Sequence, residues 1–218
     1  MSTTLILIRH GLTDWNAAGR FQGQADVPLN EIGHLQAASM ARAVSGMRPE
    51  VLYASPLTRT RQTMAPLAEA VGLAVAYDDR LKEIHVGLWE GYSGEEVDQL
   101  DPEFFPGLRA GKDMRRSAEG ETAEETGARF ADAVRDIVAA HPGKRIAVVS
   151  HGVALKQGIA KFLGWDWERS QQLGHFDNCS WATLELHHDS HWRLTGYGIN
   201  AARMMSLMQD PSAEQRDE

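Results

Sequence analysis

The chain has 218 residues, of which 43% are hydrophobic, and 22 basic against 30 acidic side chains leave a formal charge of −8. That length allows one large domain or two small ones with a buried core, while the acidic balance argues against a general nucleic-acid binder, which needs a basic surface to displace counterions. No run of about 18 consecutive apolar residues is present to cross a membrane, and Cys179 alone cannot form an intrachain disulfide. The first apolar run stops at Arg9, too short for a secretion signal. The expectation is a cytoplasmic, enzyme-sized protein.

Thr4 to Ile8 is a near-continuous aliphatic run, the pattern of a strand buried on both faces of a parallel sheet. Val51 to Ala54 is a second strand, followed by a helix start with Ser55 as N-cap and Pro56 in the first position. Met64, Leu67, Ala68 and Val71 then fall at helical spacing. Residues 84 to 120, richer in Gly, Pro and charge, read as a lid-like insertion. Phe130, Val134, Ile137 and Val138 form another helical stripe, Arg145 to Val149 another aliphatic strand, and Leu155, Ile159, Phe162 and Leu163 a third stripe. Ser180 to Leu186 pairs with His191 to Gly198 as a hairpin, and the polar stretch 211–218 reads as a disordered tail. This alternation predicts one α/β domain over residues 1–210, with a mostly parallel central sheet and helices on both faces.

Two strands end alike, in Arg9-His10-Gly11 and Ser150-His151-Gly152. Ligands of open parallel sheets sit at the carboxyl ends of the strands, so two histidines there can face each other across a crevice. Glycine after each histidine permits close backbone approach and an unobstructed N–H toward a ligand. Arg59 sits in a first helical turn, where the dipole disfavours a cation. Either a bound anion relieves the mismatch or the side chain simply extends into water. Arg61 is assigned the solvated role.

The stretch from Leu7 to Asn16, with Arg9-His10-Gly11 at its centre, resembles the signature of the histidine phosphatase superfamily, which includes the cofactor-dependent phosphoglycerate mutases. The resemblance continues through Arg20 to Asn30, Ser55 to Thr63, Leu81-Lys82-Glu83, Gly87 to Gly91, Gly120-Glu121-Thr122 and Ser150-His151-Gly152. It implies His10 as nucleophile, forming a phosphohistidine, with flanking cations keeping its ring neutral. It implies Arg9, Arg59 and His151 on the phosphoryl oxygens, with Asn16 and Gly152 as further phosphate donors. Glu83 is the implied general acid, to be held protonated by partial burial beside a dianion. Gln22, Gly23 and His85 are assigned to substrate binding. No metal and no cofactor is required by this scheme.

A mutase must shield its phosphohistidine from water and hold a second anionic acceptor. The Trp89-Glu90-Gly91 form resembles the phosphatase branches, and Glu95, Glu96, Asp98, Asp101 and Glu103 would repel a bisphosphate. Lys112, Arg115 and Arg116 could bind a substrate carboxylate, although a solvated charge run is the favoured reading. The expected activity is hydrolysis of small phosphorylated metabolites, sugar phosphates or phosphoglycerate derivatives. The alternative is a 2,3-bisphosphoglycerate-dependent mutase, and a catalytically degenerate binding protein stands behind both. Neighbouring His187 and His188, with His191, are read as polar hairpin residues pointing to opposite faces rather than as a metal site. Trp165 and Trp167 would suit a homodimer contact.

Overall fold

In the computed structural model, which describes residues 2–188 and 190–201, the chain folds around one six-stranded sheet. The tail expected over 211–218 lies outside the described residues. The elements run β1 (Thr4–Arg9), α1 (Asp14–Ala17), α2 (Glu31–Ser45), β2 (Val51–Ala54), α3 (Thr58–Val71), β3 (Val75–Tyr77), α4 (Gly94–Leu100), α5 (Phe104–Arg109), α6 (Ala123–Ala140), β4 (Arg145–Ser150), α7 (Gly152–Phe162), α8 (Trp167–Ser170), β5 (Trp181–Leu186) and β6 (Trp192–Ile199). Single 3-10 turns lie at Asp79–Leu81 and Gly87–Trp89. Strand order is β3-β2-β4-β1-β5-β6. The first four are parallel, β5 runs antiparallel to β1, and β6 antiparallel to β5.

The side chains of β1 explain why its sequence does not alternate apolar with polar. Leu5 and Leu7, with Ile146 and Val148 of β4, pack against Phe130 and Val134 of α6 and Leu155 and Ile159 of α7. Ile6 and Ile8, with Ala147 and Val149, pack against Met40 and Val44 of α2 and Met64 and Leu67 of α3. Both faces of the sheet are therefore covered by helices, and each strand residue is apolar whichever way it points. The register Arg9 to Ser150 makes the next residues, His10 and His151, leave adjacent strands side by side.

Two sequence expectations about glycine and caps need correction. The third helix starts at Thr58 rather than at Pro56, and no side chain in the N-cap position caps it. The Ser55 hydroxyl lies instead 2.8 Å from Nε2 of His151. The exposed N-terminus of α3 is met by Asp26, which accepts from the Thr58 N–H at 2.6 Å and from its hydroxyl at 2.7 Å. The anion required by the helix dipole is thus a side chain of the protein. The Gly11 N–H does not face a ligand, since it donates to Thr63 Oγ1 at 3.0 Å. Gly11 is needed for close approach: a Cβ there would stand 2.6 Å from the Gly33 carbonyl oxygen, and one on Gly33 2.1 Å from that of Leu12. Helix α2 rests backbone to backbone on the loop that follows His10.

Residues 84–120 form one wall over the carboxyl ends of the strands. They carry a small apolar cluster of Ile84, Val86, Trp89, Val97 and Phe104, extended by Phe21 and Phe105. The acidic residues expected to repel a bisphosphate lie on the outer side of that wall: Glu95, Glu96, Asp98 and Glu103 are exposed, and Glu96 pairs with Arg20.

Candidate active site

At the carboxyl ends of β1 and β4 lies a cavity of about 240 Å³ lined by Arg9, His10, Asn16, Arg59, Glu83 and Arg116, among others. The His10 ring is buried, and its Nδ1 lies 2.7 Å from the Gly11 carbonyl oxygen. A carbonyl can only accept, so Nδ1 carries the proton and Nε2 keeps its lone pair. Burial, then the positive charges of Arg59 and Arg9, push the His10 pKa well below its ordinary value. The result is a neutral imidazole with an unprotonated nitrogen beside two cations, which is the form a nucleophile needs.

His151 is fully buried, with its ring centroid 5.2 Å from that of His10. Its Nδ1 accepts from Nε of Arg59 at 3.2 Å, which leaves the proton on Nε2 to donate to Ser55. Both nitrogens are bonded within the protein, one of them to Arg59, and His151 lies behind the lining of the cavity. Burial first, and then Arg59, depress its pKa well below the usual histidine value.

Arg59 is not the solvent-exposed arginine that was one reading of its helix position. It is completely buried, and its terminal nitrogens donate to the carbonyls of Ala25 at 2.7 Å and Gly23 at 2.8 Å. One N–H on each remains for a ligand. Burial lowers its pKa to about 10, against the influence of Glu83 and Asp26, so it stays charged at neutral pH. Gly23 can present its carbonyl because it adopts a φ of +53°, and a Cβ there would meet Val86 at 2.5 Å. Gln22 accepts from Thr13 at 3.0 Å and lines the same cavity. Arg61 is exposed as expected, and it lies over the ring of Tyr77 at 4.3 Å.

Arg9 donates through Nη1 to the Phe176 carbonyl, yet its buried Nε has no hydrogen-bond partner. A buried guanidinium N–H without a partner is costly unless a ligand supplies the acceptor. Asn16 adds an amide whose Oδ1 is approached by the Thr13 N–H at 3.4 Å and by Asn178 at 3.3 Å, leaving its NH2 group as the end that can donate to a ligand. Arg9, Arg59 and Asn16 line the same cavity as His10.

Glu83 closes the opposite side. Its Oε1 accepts from Ala154 at 3.0 Å and Ile84 at 2.9 Å, and its Oε2 from Val153 at 3.2 Å. The carboxyl group thus sits at the N-terminus of α7. Arg129 fixes the segment that carries it, donating to the carbonyls of Arg80, Lys82 and Glu83 and to both oxygens of Glu121. In the sequence Arg129 is marked only as a cation on the polar flank of the α6 stripe.

Several expectations land elsewhere. His85 is tied by Nδ1 to the Glu119 carbonyl at 3.0 Å and does not line the cavity. Lys112 and Arg115 are exposed as a solvated charge run would be, but Arg116 is buried with its guanidinium facing inward. Trp167 donates its indole N–H to the Gly111 carbonyl at 2.6 Å. His187 and His188 do not point to opposite faces, because β5 ends at Leu186 and their ring centroids lie 4.0 Å apart. Among the described residues, no cluster of three or more metal-ligating side chains occurs, and no helix is long and apolar enough to cross a membrane.

The two depressed histidines have a measurable consequence. Folding excludes protons that the unfolded chain binds below pH about 6.5. Their contribution is fully present above that pH and declines as pH falls toward the lowered folded values, by up to ~1.4 kcal/mol per pH unit for each ring. Urea unfolding at pH 7.5 and 5.5 is expected to give a lower midpoint at 5.5, and equal midpoints would contradict the assignment.

A histidine phosphatase superfamily (branch 1) model matches residues 5–200. A probable phosphoglycerate mutase of Yersinia pestis is 34% identical over 212 residues, 96% of each chain. Among solved structures, a mycobacterial glucosyl-3-phosphoglycerate phosphatase superposes with a TM-score of 0.84 at 30% identity, covering 92% of this chain and 100% of that one. The phosphoserine phosphatase of Entamoeba histolytica, solved with 3-phosphoglyceric acid, superposes with a TM-score of 0.81 at 29% identity, covering 91% and 98%.

Proposed function

The chain belongs to the histidine phosphatase superfamily, and from that premise we propose that it hydrolyses phosphomonoesters of small metabolites through a phosphohistidine on His10. The observation that carries this reading is the fixed tautomer of His10, whose unprotonated Nε2 shares a cavity with the guanidinium groups of Arg9 and the buried Arg59. In the first step Nε2 attacks phosphorus, the P–O bond to the alcohol breaks, and Glu83 gives a proton to the departing oxygen. In the second step Glu83 takes a proton from water, whose oxygen attacks phosphorus as the P–N bond breaks. Inorganic phosphate leaves and His10 returns to its neutral form.

Arg9, Arg59 and Asn16 hold the phosphoryl oxygens throughout, stabilising charge that shifts in a loose transition state. Gly152, in the first turn of α7, lies beside this group: a Cβ there would stand in ordinary contact with Nε of Arg9, at 3.5 Å. The positive charge comes from side chains, and the scheme uses no metal ion.

Water rather than a second phosphate ester is the acceptor in this reading. Beyond the phosphoryl position the cavity lining is mainly apolar, with Phe21, Ile84, Val86, Phe104 and Phe105 beside Arg20 and Arg116, which offers a second phosphate few charged partners. The phosphatases among the similar structures support the same choice. The mutase reading is favoured by the inward-facing guanidinium of Arg116 and by the probable phosphoglycerate mutase among the similar sequences. A phosphate-release panel run with and without chelator, beside a mutase assay with 2,3-bisphosphoglycerate, separates them. The expected result is chelator-insensitive phosphate release. Efficient conversion of 3- to 2-phosphoglycerate with negligible phosphate release would overturn the hydrolase.

A further inference from the structure

Residues 176–180 wrap the carboxyl end of β1. The Arg9 N–H donates to the Ser180 carbonyl at 2.9 Å, and the Cys179 N–H is shared between the carbonyls of Arg9 at 3.1 Å and His10 at 3.2 Å. The Phe176 carbonyl takes the Arg9 guanidinium. Cys179 adopts a φ of +56°, a left-handed conformation that a residue with a Cβ holds only where its surroundings over-determine the backbone. The preceding side chain, Asn178, lies against the loop of the nucleophile. Its nitrogen donates to the His10 carbonyl at 3.0 Å and to Oδ1 of Asn16 at 3.3 Å.

We propose that Asn178 is a positioning residue for the phosphoryl site: it ties the main chain of His10 to Asn16 and turns the Asn16 amide so that an N–H, and not its oxygen, is offered to the phosphoryl group. That role rests on the hydrolase reading above, and it belongs to a side chain outside the cavity lining, which acts on the site through Asn16 rather than by touching substrate.

Hydrogen-bond chemistry fixes the direction of each amide in turn. A carbonyl only accepts, so the His10 oxygen must face the NH2 end of Asn178. The second proton of that nitrogen is then aimed at Asn16, whose facing atom must be its oxygen. The Thr13 N–H approaches the same oxygen at 3.4 Å, and contacts this long hold an amide only together. Packing does little to help, because the one-turn helix Asp14–Ala17 that carries Asn16 has no buried residue. Turned over, the Asn16 amide would set a lone pair against the phosphoryl oxygens where a donor is required. Losing the orientation therefore costs more than losing one weak contact.

The test is a double-mutant cycle between Asn178→Ala and Asn16→Ala, read as kcat/KM on p-nitrophenyl phosphate and as competitive inhibition by inorganic phosphate. In the parent background Asn178→Ala is expected to lower kcat/KM and to weaken phosphate inhibition, each by about tenfold. In the Asn16→Ala background the same change is expected to cost less than about twofold, because the amide it orients is gone. Asn178→Ser, whose single O–H can serve one of the two oxygens but not both, should fall between, and it carries the cycle if circular dichroism shows the alanine variant to be unfolded. Parent-like kinetics in both variants would overturn the proposal. So would equal losses in the two backgrounds, which would mean that Asn178 merely props the loop. A parent that releases no phosphate from p-nitrophenyl phosphate or any other ester removes the hydrolase reading and this inference with it, an outcome distinct from a cycle without coupling.

Discussion

Replacing His10 with alanine is expected to lower phosphate release by roughly 10⁴-fold or more, because the variant lacks the atom that bonds to phosphorus. The fold should survive. The side chain makes one hydrogen bond, to the carbonyl of its own neighbour Gly11, and the loop around it is held by contacts of the main chain with Gly33, Thr63 and Ser150. Steady-state turnover of several esters, with circular dichroism as a control for folding, checks the expectation. Turnover within tenfold of the parent would remove His10 from the reaction.

Replacing Glu83 should show a dependence on the leaving group. An alkyl alkoxide cannot depart without a proton, whereas p-nitrophenolate can. Glu83→Gln is therefore expected to cost roughly 10²- to 10⁴-fold in kcat/KM on glycerol 3-phosphate but less than about tenfold on p-nitrophenyl phosphate. The amide of glutamine would place an N–H donor against the N–H of Val153, so Glu83→Ala belongs in the comparison as a second variant. Equal losses on both esters would mean that Glu83 holds the site together without moving a proton.

The inner strands and the nucleophile were readable in sequence because their causes are local. Leu5 to Ile8 and Ile146 to Val149 are apolar at every position since helices cover both sides, and the two Arg/Ser-His-Gly ends fall at the same edge because β1 and β4 pair in register. The strand β3 left no mark, since Val75–Tyr77 is three residues long and largely exposed. Helix α2 carries a start signal in Asn30, whose side chain accepts from the Gly33 N–H.

What sequence could not supply is the pairing of distant residues. Nothing near Ser55 says that its hydroxyl serves His151 rather than a helix end, and nothing near Arg59 says that Gly23 and Ala25 will take its terminal nitrogens. The basic run around residues 112–116 has no inside or outside until the Asp113 carboxylate turns Arg116 inward. The role of Arg129 is set in the same way, by carbonyls distant in sequence. The net charge of −8 likewise described the surface, while the site gathers Arg9, Arg59 and Arg116 into one buried positive pocket whose field is local.

The central claim is that the phosphoryl group passes to the protein before it reaches water, and the stereochemical course at phosphorus tests it most directly. Hydrolysis of an isotopically chiral phosphomonoester in labelled water should proceed with net retention, the signature of two successive in-line displacements. Net inversion would mean direct attack by water and would contradict the account.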